Sequence, residues 1–312
     1  MDIEQARKEH YKEIVSLFEQ NYFKYHYDSL VDISKLSQLF KQGFMGWVAL
    51  DNKRVIGFAG LYKKAVMGIP IIELAHLLVD EKFRGQHLGS ILEKTRETYY
   101  KNIWGCIVLA SCVENPIQSI ILKKKHGFVV LGARVNYRPQ TENRSNSVLL
   151  GKYYGLPKLK YIEEVGLLTS AIITKQCNEI GIKRIIRTGK GQATSKYMLD
   201  YNQKLGRAIA YLGDNQLKDE LILEDMVNVL KNVKCPYTSI KINALLDGLS
   251  ETDKILVNNG FYPAVYIPGY GLNADIIEYQ YFQEYEINEY NKIINNLKVM
   301  NIYENSPNVC SV

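Results

Sequence analysis

The sequence predicts a mixed α/β (α+β) fold, a central mixed sheet flanked by helices, with a second unit of the same kind packed on it. Three observations support this. Helical and strand-like stretches alternate through the first half of the 312 residues. A strand runs straight into a glycine-containing loop that opens a helix at VDEKFRGQHLGS, residues 79–90. The tail then repeats the order of elements that precedes it. The change of unit falls at Gly155-Leu156-Pro157, which divides the chain into residues 1–155 and 156–312.

Each element has its own signal. After a short apolar start at Ile3, ARKEHYKEIVSLFEQNY places Tyr11, Ile14, Val15 and Phe18 on one helical face, and a second helical piece runs from Ile33 to Phe40. GWVAL and RVIGFAGLY read as strands joined at Asp51-Asn52-Lys53, a hairpin turn. Gly68 and Pro70 mark the next turn, and IIELAHLLVD follows as a long strand in which His76 faces away from Glu73 as a core histidine. Beyond the loop, Leu88, Ile91, Leu92, Thr95 and Tyr99 keep helical spacing, and CIVLASCVE is an apolar strand of the buried kind. The next helix has marked ends: Asn115 as N-cap, Pro116 at the first helical position and Gly127 past the last turn. FVVLGARVNY and SVLLGKYY close the first unit as strands.

In the tail, TSIKINAL, SETDKILVNNG, FYPAVYIPG and ADIIEYQYF repeat a strand–helix–strand–strand order. Asn259-Gly260-Phe261 stands where His126-Gly127-Phe128 stands in the first unit. The tail tyrosines Tyr262, Tyr266, Tyr270, Tyr279 and Tyr281 suit core and interface packing, or the lining of a pocket between the units. RTGKGQATSK, residues 187–196, lacks phosphate-loop spacing and reads as a plain loop.

Composition narrows the function. Hydrophobic residues make up 46% and charged residues 23%, as in soluble globular proteins. The net charge of +6 comes from scattered Lys and Arg, with no basic stripe or aromatic–basic motif, so no nucleic-acid partner is expected. A modest positive field also suits a small polyanion. Five cysteines without a C-x-x-C pair argue against a disulfide framework and a metal site, and suggest reduced thiols in the cytoplasm. No apolar run approaches the ~18 residues of a membrane span, and the start of the chain lacks a signal-peptide core, so no membrane association is expected.

The loop carries the chemical signal. N–H groups at a helix start lack intrahelical partners, and the helix dipole favours an anion there. Arg84-Gly85-Gln86-His87-Leu88-Gly89 sets two glycines between a strand and a helix, the composition of a loop that curls to present several N–H groups at once. The corresponding place in the second unit, Gly213 to Glu220, has one glycine and an acidic first turn, which repels phosphate.

The ordered set over residues 3 to 154 resembles the GNAT superfamily of acetyl-CoA-dependent N-acyltransferases: a long strand ending at Val79, an Arg-containing glycine loop opening a helix, an apolar strand, and ENPIQSIILKKKHGF. The loop matches that family's [R/Q]-x-x-G-x-[G/A] pattern at Arg84 and Gly89, with His87 at the first glycine position. The resemblance implies acetyl-CoA as co-substrate, with no metal and with a small amine-bearing acceptor. The pyrophosphate would be held by the amides of Arg84, Gly85, Gln86, His87, Leu88, Gly89 and Ser90. The pantetheine arm would pair with Leu77, Leu78 and Val79, wedged between splayed strands ending near Val79 and Val113, with Asn115 reaching it from the next helix.

By the same resemblance Glu73 stands where histone-type members place a base, and an N–H near Leu78 or Val79 would face the oxyanion. As a residue alone, Glu73 is equally an edge carboxylate. The family's frequent leaving-group tyrosine is replaced by Lys123, which either donates that proton or, as its place beside Lys124 and Lys125 favours, is solvated at a helix C-terminus. The second half is then expected to be a degenerate GNAT-like domain without a CoA loop. Two other readings stay open: a CoA-binding sensor or scaffold without turnover, and transfer from a longer acyl chain or a carrier-protein thioester. A homodimer is also left open.

Overall fold

The structure, a computed structural model, describes residues 2–21, 30–66, 68–114, 116–139, 144–155, 157, 160–187, 197–212, 220–272 and 274–300. The first half contains β1 (Asp2–Gln5), α1 (Tyr11–Asn21), α2 (Ile33–Lys41), β2 (Phe44–Asp51), β3 (Arg54–Val66) and β4 (Ile69–Val79). It continues with α3 (Leu88–Tyr100), β5 (Ile107–Val113), α4 (Gln118–Lys125), β6 (Val129–Arg138) and β7 (Ser145–Tyr153). Asp32 caps α2 by accepting from the N–H groups of Ser34 (2.8 Å) and Lys35 (3.1 Å). The regular part of α4 begins at Gln118, two residues later than Pro116 suggests, because Ile117 accepts the first turn's bonds from Ile120 and Ile121. Its C-terminus closes as expected: Gly127 has φ +78°, and Phe128 N–H reaches back to the Lys123 carbonyl at 3.1 Å.

The second half contains β8 (Lys160–Glu163), α5 (Leu167–Ile180), β9 (Arg184–Arg187), β10 (Tyr197–Asn202), β11 (Arg207–Leu212) and α6 (Glu220–Asn232). After these come β12 (Tyr237–Asn243), α7 (Leu249–Asn258), β13 (Phe261–Gly271), β14 (Ala274–Tyr281) and α8 (Glu284–Val299). β8 and β9 form a small parallel pair; the other strands join in one 12-stranded sheet of order β1-β2-β3-β4-β5-β7-β6-β13-β14-β12-β11-β10.

That order is a repeat turned back on itself. β4 and β5 are parallel, β5 and β7 antiparallel, β7 and β6 antiparallel; β11, β12, β14 and β13 show the same senses in the same order. The halves meet where β6 pairs with β13 at Gly132 and Val265. Beyond that pair the Gln280 side chain takes the place of a strand, accepting from Val135 N–H (3.1 Å) and donating to Val135 O (2.9 Å). Burial crosses the joint as well: Tyr290, Ile293, Ile294 and Leu297 of α8 belong to the core that contains Val130, Ala133 and Val135 of β6. A second core lies under β11, β12 and β14, and a third packs α1 and α2 on β2 and β3.

Gly132 makes the joint feasible. Its φ is +152°, and a Cβ there would run into the Ala264 carbonyl oxygen and lie 2.8 Å from Val265 Cα, both backbone atoms that cannot swing aside. Gly132→Ala should therefore cost about 1–3 kcal/mol of stability, the range for overpacking. Urea unfolding monitored by tyrosine fluorescence measures this, and an unchanged midpoint would show that the joint yields.

Candidate active site

β4 pairs with β5 only from Ile71↔Ile107 to Leu74↔Ala110, and from Ala75 to Val79 its β5-facing edge has no strand partner among the described residues. β5 meanwhile stays paired with β7 out to Val113. On its other side β4 remains tied to β3 through a bulge: the register passes from Gly60↔Ala75 to Phe58↔Leu78, so His76 and Leu77 oppose Ala59. His76 sits in the bulge with φ +55°.

The bulge corrects the expected orientation of His76. Its ring packs edge-on against Phe18 and Phe44, each 6.0 Å between centroids, while Tyr62, the cross-strand partner of Glu73, also contacts Phe44. The extra residue moves His76 to the side of Glu73. Burial, and then the charges of Arg138 and Arg96, push its pKa down to about 3, so the ring is neutral.

Where the strands part, the next carbonyl of each is taken by an arginine. Arg96 of α3 donates through Nη1 to Gly60 O (2.9 Å) and Ala75 O (3.3 Å), and Arg138 at the end of β6 donates through Nη2 to Ser111 O. Neither arginine is singled out by the sequence motifs. A signal for Arg96 exists: Leu88, Leu92, Arg96 and Tyr100 follow at steps of four, which places a charge on the buried face of α3. Arg138 leaves no comparable mark, because its target is set by the fork.

Arg96 is balanced by Glu93, which also accepts from Lys123. This overturns the solvated reading of Lys123, which is only 4% exposed, with its ammonium under the fork and 5.2 Å from the Phe128 ring centroid. The cause is helical phase: α4 turns Lys124 and Lys125 outward and Lys123 inward, toward α3. Burial, then repulsion from Arg96, lowers the Lys123 pKa to about 8 in spite of Glu93. Burial alone would raise Glu93, but the fields of Arg96 and Lys123 outweigh it and hold the carboxyl at about 2. Glu93 is thus firmly ionised, and Lys123 is the member of the cluster that can part with a proton near neutral pH.

The loop beyond β4 opens at this same end. Asp80 caps a short turn by accepting from Lys82 N–H (3.0 Å) and binds Arg54 (2.7 Å). His87 takes the left-handed conformation, φ 60° and ψ 8°, directly before α3, and Gly85 has φ +78°. Arg84 N–H bonds to Glu81 O (3.2 Å) and Ser90 N–H to His87 O (2.9 Å). The amides of Gly85, Gln86, His87, Leu88 and Gly89 have no acceptor among the described residues, a run shorter at both ends than the sequence suggests. The Arg84 side chain folds away onto Val79 O (3.2 Å) and Asn21 Oδ1 (2.8 Å), and Ser90 Oγ lies 3.0 Å from His126 Nε2. Asn115 lies outside the described residues, as do 188–196 and 213–219.

Glu73 is 37% exposed, accepts from Lys64 Nζ at 2.7 Å, and faces a cavity of about 550 Å³ shared by the two halves. The first half lines it with Glu73, Leu109 and Ser111, the second with Tyr211, Lys241 and Asn243. Of the tail tyrosines, Tyr270 lines this cavity, whereas Tyr266 and Tyr279 are buried and donate to Asp275 and Asp253, both at 2.6 Å. Tyr262 stacks on Phe282 at 6.2 Å. No helix of the described residues is long and apolar enough to cross a membrane.

Comparisons with known proteins bear on the first half. Residues 9–128 match the profile of the Acetyltransferase (GNAT) family. No curated protein matches the chain. Among solved structures, the ribosomal-protein-alanine N-acetyltransferase of Brucella melitensis is similar at 20% identity, covering 49% of this chain and 99% of its own, with a TM-score of 0.42. Arabidopsis thaliana NAA60 in complex with acetyl-CoA is similar at 14% identity, 49% and 97% coverage and a TM-score of 0.43. A phosphinothricin acetyltransferase of Sinorhizobium meliloti, in complex with AcCoA, aligns at 16% identity over 49% of this chain and 88% of its own, with a TM-score of 0.44.

The buried cluster yields a stability test. Removing the shared anion strands two cations, so Glu93→Gln should cost about 3–5 kcal/mol, whereas Lys123→Met should cost less because Arg96 still faces Glu93. The Glu93 carboxyl lies at about 2 when folded against an ordinary 4.5, so the unfolded chain takes up the proton first. Its contribution is present in full above 4.5 and is lost as the pH falls through that window toward 2. Urea midpoints compared across that range check both points, and equal losses in the two variants would show that the anion is not shared.

Proposed function

Residues 9–128 belong to the GNAT acetyltransferase family, and from that premise we propose that the protein transfers an acetyl group from acetyl-CoA to the amine of a small acceptor. One observation carries the reading: the β5-facing edge of β4 from residue 75 to 79, beside which no described strand lies, leads directly to the amides of Gly85–Gly89 at the start of α3, which have no acceptor among the described residues. The edge suits an extended amide-bearing arm, and the amides with the dipole of α3 suit a diphosphate. His87 supplies an amide as a glycine would, because its backbone already occupies the left-handed region. Bound there, acetyl-CoA presents a thioester at the fork, on the side where Glu73 borders the cavity.

The chemistry then needs two proton movements. The acceptor nitrogen forms a bond to the acetyl carbon as the C–S bond breaks; the nitrogen gives up a proton, and the departing thiolate takes one. Glu73 is the base, directly or through water. Lys123, under the fork with its pKa near 8, is the acid that the missing tyrosine would otherwise be. Residues 156–312 act as a degenerate GNAT-like half that completes the acceptor site. Free thiols at Cys106, Cys112, Cys177 and Cys235 fit a cytoplasmic setting.

The sensor reading draws on one observation, that Lys123 is already engaged by Glu93. Thiol release from acetyl-CoA across a panel of amines decides between them. Glu73→Gln should lower turnover by about 100- to 10,000-fold with CoA affinity retained. CoA binding with no release for any amine would decide for the sensor.

A separate measurement addresses the loop. A Cβ at Gly89 meets only ordinary contacts, Leu122 Cδ2 at 3.8 Å and Val79 Cγ2 at 3.9 Å, so Gly89→Asp should fold. Its carboxylate would face the diphosphate, and calorimetric CoA affinity should fall at least tenfold, while His87→Gly should keep it. Undiminished binding in Gly89→Asp would remove the loop from the site.

A further inference from the structure

The cavity between the halves is built from equivalent strands. Glu73 pairs across to Leu109 on β5, and Tyr211 pairs across to Lys241 on β12. Ser111 pairs with Leu149 on β7, and Asn243 with Ile276 on β14. Counted from Val129 and Tyr262, which follow the equivalent Phe128 and Phe261, the ladders set Ile209, Ser239 and Lys241 where the first half has Glu73, Leu109 and Ser111, and Ser111 and Lys241 line one space. The repeat has kept its register and exchanged its chemistry.

Lys241 is the unusual member. Its nearest described anion is Glu278, 4.0 Å away, and that carboxylate is already held by Arg134 through Nε (3.1 Å) and Nη2 (2.6 Å) and by the Tyr237 hydroxyl. Its ammonium, 5.2 Å from the Tyr211 ring centroid and 23% exposed, donates no hydrogen bond to a described residue. Burial acts to lower its pKa, but Glu278 together with Tyr211 and Tyr137 more than offsets it, so the pKa is raised and the ammonium is charged at neutral pH. Tyr270 lies within electrostatic reach of both Lys241 and Glu73. Between these ends the sheet presents Leu109, Leu149, Ile267 and Ile276.

We propose that this cavity takes an amino acid whose amine and carboxylate are separated by an apolar chain, its amine at Glu73 and its carboxylate at Lys241, so that the second half selects the acceptor. The inference rests on the transferase reading above and adds the acceptor's class. An acceptor with no acid group would leave Lys241 with only a share of Glu278, which Arg134 already holds at 2.6 Å, and an amine bearing a second cation would meet Lys64 and Arg134. A carboxylate meets neither difficulty. Opposite charges at the two ends also fix which way round the acceptor lies, with its amine toward the fork.

The test uses the intact chain with acetyl-CoA and two series of probes: straight-chain amino acids with the amine at increasing distance from the carboxylate, α-amino acids being the shortest, and the amides of the same amino acids. Aminoalkyl phosphates form a third arm, since phosphate shares the anionic chemistry. Thiol release gives kcat/KM, and calorimetry in the presence of CoA gives binding without turnover. The acids should exceed their amides at least tenfold in kcat/KM and exceed the phosphates as well. Lys241→Met should collapse that ratio at least tenfold, and Lys241→Arg should restore it. Glu278 keeps its Arg134 partner in both variants, and their thermal midpoints check the fold.

Amides used as well as acids, phosphates preferred, or a ratio unmoved in Lys241→Met would overturn the proposal while leaving the transferase standing. Binding of the acids that depends on Lys241, with no thiol release, would uphold the pocket and overturn the transferase. Neither binding nor release with any acid would overturn both.

Discussion

A buried carbonyl that loses its strand partner must find another donor, and at the fork between β4 and β5 the donors are Arg96 and Arg138. The open edge depends on this exchange. Without it the cheapest way to satisfy Ala75 and Ser111 would be to continue the parallel ladder, which would close the gap. Arg96 then requires an anion, which Glu93 provides, and Glu93 also holds Lys123. The charges behind the fork are thus consequences of one geometric choice. They leave a buried ammonium of lowered pKa held against Glu93.

A second cluster of the same construction holds the halves together. Arg134 on β6 and Glu278 on β14 make a buried bidentate pair, extended by Tyr237 and by the stacking of Arg134 over Tyr137 at 4.8 Å. Such a pair contributes more to specificity than to net stability, since its members are costly to bury and costlier to separate. Here it fixes the register of two sheets whose backbone contact is a single residue pair at Gly132 and Val265. It also engages Glu278 closely, and so leaves Lys241 facing the cavity with that carboxylate no nearer than 4.0 Å.

The sequence shows the elements and the loop well, because those depend on local periodicity and turn chemistry. The strands from Gly46 to Tyr154, the helix opening at Leu88 and the corner at His126-Gly127-Phe128 all lie where their patterns put them. It shows less where the answer depends on neighbours distant in the chain. His76 changes face because a bulge adds a residue to β4, which an alternating pattern does not reveal. Lys123 reads as one of three equivalent lysines until the position of Glu93, 30 residues earlier, is known. Arg138 and Lys241 gain their meaning only from a fork and a joint that no short stretch encodes.

The duplication clarifies why one half carries the site. In the first half β4 continues from Ala75 to Val79 beyond its last pairing with β5, and that extension is the open edge. In the second half β11 pairs with β12 as far as Tyr211 and ends one residue later at Leu212, so the described strand leaves no comparable edge. The second half also carries Ile209 in place of Glu73, so it lacks a carboxylate there. Where β5 has Ser111, β12 has Lys241, and a duplicated register becomes an asymmetric pocket with an acid at one end and a cation at the other.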